Sequence, residues 1–559
     1  MEFGKKRLIT RVAASFLSAV AVLLFFGLRY PYHLHYQEQF QLFQFTWAYF
    51  RDLVVIPGGL ACWGGRFLTQ FCYFYWAGAF ILAALFSAIQ VLTYRNFRQA
   101  PYSVSFIPAV LVFLFLLDEN ALFSAPVALA LSLLALTASE KAGTAVCLVL
   151  QAVLLFLLGP LSITYCLSIA VQRKSVPTAI ITALIFIVLT FAAYQIFPYS
   201  FNNLLYGLNY HRYRSIIPVL PIAAALAIPA TGLVPSLKPI FNILIFAAIA
   251  AAAVICTSKI ADFSKEEMMK YDFHARMKLW NRTLAMADRK LPRTPISVSC
   301  LNLALAMTDR VGDGLFQYYQ NGPQGLLGDF VRDYTSPLST AEAYYRMGMI
   351  NTAQRFVFEA QEAIPDYQKS ARCYARLAET NLLNGDYNVA RKYLIPLTHT
   401  LFYRRWALSV LPLLGDEEAI ARHPEYGPLR SFRFSGHDFL FSNDEMVSML
   451  GLLSMENHDN RVAYNYLLAW TLLSKDLNRF AECLSLVQFN VMPRAYQEAL
   501  LLMWVQTHSD TDGLPSVIDR RLVAEMEAFM RDSSARKDAG YMEKVYGRTY
   551  WFYYLYRYR

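Results

Sequence analysis

The sequence predicts an all-α membrane protein: a polytopic bundle of transmembrane helices followed by an α-solenoid of paired helices. Three observations carry this prediction. Hydrophobic residues make up 56% of the 559, too many for an ordinary soluble chain. They gather in long runs up to Ser258, after which charges return every few residues. Charge is also unequally divided: residues 1–258 hold 15 Lys+Arg against 6 Asp+Glu, and the remainder 36 against 35. Almost the whole net charge of +10 therefore belongs to the apolar half, where it signals topology and not nucleic-acid binding. The expected domains are a transmembrane domain over 1–258 and a helical-repeat domain over 259–559.

A helix needs about 20 apolar residues to cross a hydrocarbon core of about 30 Å. Hydropathy on that rule predicts about nine spans, at 12–28, 67–91, 103–117, 121–137, 143–158, 160–172, 177–196, 216–232 and 239–257. The first follows a basic start (Lys5, Lys6, Arg7, Arg11) and has no small-residue cleavage site behind it, so a retained anchor is expected rather than a signal peptide. Short loops carrying Arg95, Arg98, Lys141, Arg173, Lys174 and Lys238 share a side with the N-terminus, which makes that side cytoplasmic. An odd number of spans then puts the C-terminal half outside.

Two outward loops stand out. The loop 29–66 contains RYPYHLHYQEQFQLFQF, whose end opens the amphipathic segment FQLFQFTWAYFRDLVV (40–55), which suggests a helix lying at the membrane interface. The loop 197–217 brings Tyr210, His211, Arg212 and Arg214 to the same face. His33 and His35 are two of only three histidines before Ser258. Interfacial histidines among tyrosines are commoner than a ligand pair at this spacing, so a polar cavity is expected there and no metal. The eight cysteines are scattered with no CxxC pair, which predicts buried thiols rather than a disulfide framework. Walker, GxSxG, HExxH and Rossmann patterns are missing, and no cofactor is expected.

After Lys259 the pattern is helical and repeats. AYYRMGMINTAQRFVFEAQEAIP (343–365) aligns with RLAETNLLNGDYNVARKYLIPL (376–397), placing Gly348 over Gly385 and Ala353 over Ala390, 37 residues apart. These residues, with Ile350, Ala360, Pro365, Leu377, Ala378 and Tyr387, resemble the tetratricopeptide helix–turn–helix repeat. The resemblance implies a stacked solenoid with a surface for a partner protein or polymer. The chain ends in GRTYWFYYLYRYR (547–559), which suits either a membrane interface or packing in the last repeat groove.

The membrane half resembles the C-type glycosyltransferases in loop order and topology. That resemblance implies a carboxylate in the first outward loop acting as general base and cations gripping a lipid-linked sugar diphosphate. Glu38 is then the candidate base, with Asp52, Asp118 and Glu119 as weaker candidates. Arg212 and Arg214, with His211 and Tyr210, are the candidate phosphate ligands. Glu38 stands between two glutamines and outside any acidic pair. A structural ion network is the competing reading. On HYQEQFQLFQF, NYHRYRSIIP and the aromatic tail, the full chain resembles a Bacteroides-type family of inner-membrane proteins. In that family nine to ten spans precede a periplasmic tetratricopeptide-like domain, and no activity is implied. Expected partners are membrane lipids, a lipid-linked saccharide, and an envelope protein. Two functions stay open: an envelope scaffold, or a glycosyltransferase.

Overall fold

The computed structural model describes residues 2–292, 294–328, 331, 333–434, 445–508 and 513–557, with side chains from residue 8 except that of Tyr367. The side chains of Lys5, Lys6 and Arg7 and the last two residues of the aromatic tail lie outside the described residues. All named elements are helical. Two compact units divide the chain: residues 1–266 with 396–404, and 267–395 with 405–559.

The first unit runs through α1 (Glu2–Leu24), α2 (Pro31–Gln39), α3 (Trp47–Val54), α4 (Gly59–Thr69) and α5 (Tyr75–Asn96). It continues with α6 (Phe106–Phe115), α7 (Ser124–Ala138), α8 (Thr144–Leu158), α9 (Ile163–Arg173) and α10 (Val176–Ile196). α11 (Phe201–Tyr206), α12 (Val219–Thr231) and α13 (Pro239–Ile260) complete it.

The expected nine spans become four. Only Leu8–Arg29, Tyr75–Asn96, Val176–Ile196 and Pro239–Ile260 are long and apolar enough to cross a membrane among the described residues. α6, α7, α8, α9 and α12 have 10 to 15 residues. At 1.5 Å per residue they extend about 15–22 Å, short of the ~30 Å core. Hydropathy alone had joined each short helix to apolar residues in the turns beside it, such as the tight turn Tyr102–Ser105 before α6. The second span is displaced as well, because residues 67–74 close α4 and turn before α5 begins.

The amphipathic segment 40–55 is only partly helical: residues 41–45 form neither helix nor strand, and α3 starts at Trp47, capped by Thr46 accepting from the Tyr49 amide at 3.2 Å. At the end of the last long span, the Asp262 amide donates to the Tyr30 hydroxyl at 3.1 Å. The first and last long spans therefore leave this unit on the same face. The N-terminal part of α1 meets the far end of α5 on the other face, with the Arg11 guanidinium 5.2 Å from the Tyr94 ring centre.

Helix α14 (Phe263–Arg276) leads into the second unit, followed by α15 (Trp280–Arg289), α16 (Pro295–Met307) and α17 (Val311–Gly314). Two successive helix pairs come next: α18 (Ser336–Met347) with α19 (Ile350–Ala363), and α20 (Ala371–Asn384) with α21 (Tyr387–Thr398). Gly348 and Gly385 close α18 and α20 at φ +85° and +86°, the left-handed position that glycine adopts without strain. A Cβ on Gly348 would lie 2.7 Å from Phe432. Ala353, Ala360 and Ala390 are fully buried, as close helix packing requires. The aromatic tail forms a final helix, Tyr550–Tyr556, inside this unit. Trp551 is fully buried and its indole N–H donates to the Glu498 carbonyl at 2.9 Å.

The same pairs enclose a buried charge cluster that the sequence did not announce. Glu342 bonds Arg346 at 2.7 Å and also pairs with Arg376; Arg346 reaches Glu425 at 2.9 Å. The Arg376 guanidinium lies 3.7 Å from the Tyr345 ring centre. Burial opposes ionisation of Glu342, but Arg376 and Arg346 outweigh it and hold the carboxyl down at about 2.

Candidate functional site

Helix α2 is the hub of the polar residues in the first unit. Pro31 opens it with the preset φ that suits a first turn. The amides of Tyr32 and His33 donate to the two oxygens of Glu266 at 2.7 and 2.8 Å. This carboxylate takes the place of a capping side chain, and a negative charge is favourable there. His33, Gln37, Glu38 and Gln39 are all buried.

His33 packs 4.8 Å from the Tyr30 ring, and its Nε2 lies 3.2 Å from the Gln37 amide nitrogen. Burial lowers its pKa to about 4, so the imidazole is neutral near pH 7. Gln37 in turn donates to the Ala121 carbonyl at 3.1 Å. His35 turns elsewhere, edge-on to Tyr75 at 5.7 Å.

The loop carrying 209–213 joins this hub through backbone pairing. The Arg212 amide donates to Asn120 at 2.8 Å and the Leu122 amide to Tyr210 at 3.0 Å. Arg212 is 2% exposed; it donates to the Phe40 carbonyl at 3.1 Å and lies over the Phe40 ring. Glu38, 3% exposed, accepts from the Tyr403 hydroxyl at 3.2 Å. The sequence-selected carboxylate and guanidinium thus meet the same end of α2. The Phe45 amide also donates to His399 at 2.8 Å, and Phe402 stacks on Tyr73 at 4.9 Å, so residues 399–403 are fixed to the unit at several points.

The other candidates disperse. Tyr210 is buried, donating to the Leu158 carbonyl at 2.6 Å and accepting from the Leu161 amide at 3.3 Å. It sits against Gly159, at φ +82°, where a Cβ would lie 2.7 Å from its hydroxyl. This is a packing role. The Tyr213 amide donates to His211 Nδ1 at 3.1 Å, which leaves Nε2 to donate to Asp118 at 3.2 Å. Burial works against the Asp118 charge, yet the His211 and Asn120 hydrogen bonds keep its pKa below the usual range. Glu119 pairs with Lys265 at 2.6 Å. Arg214 lies over Tyr199. Asp52 pairs with its exposed neighbour Arg51, away from α2. No three His, Cys, Asp or Glu side chains converge as a metal site among the described residues.

A family model matches residues 6–557, nearly the full chain. The chain belongs to DUF6057, a family of unknown function. No curated protein and no solved structure matches it. Sequence reasoning missed two central residues of this DUF6057 protein, Glu266 and Tyr403. Glu266 had a weak signal, as one of the first acids after the last apolar run. Tyr403 had none, because it lies 365 residues from Glu38.

Proposed function

We infer that this protein is an integral inner-membrane scaffold of a bacterial envelope. On this reading its tetratricopeptide-like solenoid receives a periplasmic partner protein or envelope polymer. The observation that carries the reading is the use of the polar residues around α2. Glu266, Tyr210, His211 and Tyr403 each hold one segment of the first unit to another. Support for the solenoid comes from the 37-residue repeat of Gly348 and Gly385 at equivalent helix ends. A cytoplasmic N-terminus follows from the basic loops. On this reading the second unit is periplasmic; the ends of the first and last long spans, on the face opposite the N-terminal part of α1, support it. The Bacteroides-type resemblance agrees with this arrangement.

Buried charges need counter-charges. On this reading Arg212 serves as the counter-charge of Glu38, since both are buried at the same end of α2. The test of the scaffold is a photo-crosslinker at Phe358, an exposed apolar residue of α19, in the full chain in its native envelope. A discrete adduct that disappears when Gly385→Val distorts the second helix pair is expected. Absence of any adduct there and at Val389 of α21 contradicts it.

The convergence of Glu38, Arg212 and Tyr403 at one helix end also favours a second reading, a C-type glycosyltransferase using a lipid-linked sugar. Glu38 would then be the base and Arg212 the phosphate ligand. Transfer from lipid-linked donors, abolished by both Glu38→Gln and Arg212→Ala, is its requirement; no transfer by the wild type removes it.

A further inference from the structure

On the face of the first unit that holds the N-terminal end of α1, the last turns of α5, α7 and α9 enclose a cavity of about 620 Å³. Its walls carry Arg95, Arg98, Arg173 and Lys174 against one carboxylate, Glu140. We propose that this cavity binds a phosphate-bearing anion, with Arg95, Arg98 and Lys174 as its ligands. The site is distinct from the α2 hub and independent of the function inferred above.

The framework is already fixed. The Asn96 side chain at the end of α5 donates to the Leu133 carbonyl and the Thr137 hydroxyl of α7 at 3.3 and 3.0 Å. The Gln172 side chain of α9 donates back to the Asn96 carbonyl at 3.1 Å. Three helix ends are thereby held at set spacing. The floor is apolar, with Phe97 packed so closely on Gly232 that a Cβ there would lie 2.5 Å from the ring. The volume falls within the usual range for small-ligand pockets, about 300–1,000 Å³.

The cations divide by role. Arg173 is engaged in the wall, donating to the Ala142 carbonyl at 2.7 Å and to the Cys147 sulfur at 3.2 Å. Arg95, Arg98 and Lys174 are exposed, and no described carboxylate pairs with them. Lys174 ends α9 at φ +49°, the left-handed position where glycine is the ordinary residue. An amine is thus kept at the rim in a backbone conformation that disfavours it, as functional positions often are.

Complementing helix ends is the simpler role for such cations. Each helix C-terminus carries about half a negative charge, so the ends of α5, α7, α9 and α12, whose C-cap Gly232 also lines the cavity, together with Glu140 still do not balance four cations. The surplus remains positive and lines a concave site, where Arg grips phosphate oxygens in a fork and Lys as a point charge. An acidic lipid headgroup and a free phosphate compound share this chemistry. A basic pocket between helix ends suits both.

The test uses the full chain in neutral detergent with two probes. Phosphatidic acid is compared with phosphatidylcholine by native mass spectrometry, and inorganic pyrophosphate is titrated calorimetrically. At least one probe is expected to bind, with affinity falling as salt rises. Arg95→Gln/Arg98→Gln should weaken binding about 10-fold or more, while Lys238→Gln, on the same face but outside the cavity, leaves it unchanged. Lys174→Gly should weaken binding while preserving the melting temperature, because it relaxes the backbone as it removes the amine. Binding of phosphatidic acid alone assigns a lipid headgroup, and binding of both assigns the phosphate itself. Failure of both probes overturns the proposal, and so does equal weakening by Lys238→Gln.

Discussion

The two units bury charge in opposite ways. In the second unit, Glu342, Arg346, Arg376 and Glu379 lie on α18 and α20, neighbouring helices of consecutive pairs. In the first, Glu38, Arg212, Glu266 and Tyr403 come from segments scattered over most of the chain. The arrangement in the second unit ties two consecutive helix pairs together. That in the first unit gathers distant segments on one short helix, α2, and so works as a clasp. The difference teaches that buried polarity here marks long-range fastening in one place and local packing in the other.

Substitutions and acid both sharpen or break this comparison. Glu342→Gln leaves Arg346 and Arg376 without their shared carboxylate in a buried setting, and should destabilise the second unit by about 4 kcal/mol. Arg212→Ala should cost the first unit about 3 kcal/mol, because it removes the donor to the Phe40 carbonyl and leaves buried Glu38 without its proposed counter-charge. In a double-mutant cycle with Glu38→Gln the two costs should be non-additive by at least about 1 kcal/mol. Additive costs would separate the pair and break the clasp. Both are read from thermal unfolding in detergent.

Acid should act on the two regions in different windows. His33 has a folded pKa near 4 against 6.5 unfolded, so the unfolded state binds more protons between these values. Its contribution is full above about pH 6.5 and is lost as pH falls toward 4. Glu342 has a folded pKa near 2 against 4.5. Its contribution is present above about pH 4.5 and is lost as pH falls toward 2. Each is worth about 3 kcal/mol at 1.36 kcal/mol per pKa unit. Hydrogen exchange corrected for intrinsic rates should therefore show α2 loosening at milder acidity than α18, and His33→Gln should remove the α2 transition. Simultaneous loosening would contradict the assignment.

Two smaller effects bracket the clasp. Tyr403→Phe removes one hydrogen bond to a buried carboxylate and should cost about 2 kcal/mol. Asp52→Asn breaks only an exposed pair with Arg51 and should change stability by less than about 0.5 kcal/mol.

Particular residues show which parts of this were legible in the sequence. The four long spans were visible because an uninterrupted apolar run of 21 or 22 residues has few other uses. The five shorter helices were overcounted, since hydropathy registers that α7 is apolar without registering that its length serves core packing. Gly348 and Gly385 were legible because a helix end demanding positive φ leaves a glycine in the sequence. His33 and Glu38 could be grouped because one short segment carries them, and the 209–213 loop because it shares their face. Glu266 and Tyr403 escaped, since a capping carboxylate or a hydroxyl delivered from outside the segment leaves no local pattern. Asp52, chosen by loop position alone, lies apart from α2 because adjacent Arg51 satisfies it in solvent.

Glu38 tethers residues 399–403 to α2 by accepting from the Tyr403 hydroxyl, and on the scaffold proposal this tether is its role. Glu38→Gln in the full-length protein in nanodiscs tests it by hydrogen exchange of the 399–403 amides and the Phe45 amide, measured beside transfer from a lipid-linked sugar. The clasp predicts faster exchange at those amides and no sugar transfer by either wild type or variant. Unchanged exchange, with a wild-type transfer activity that the variant abolishes, would contradict it.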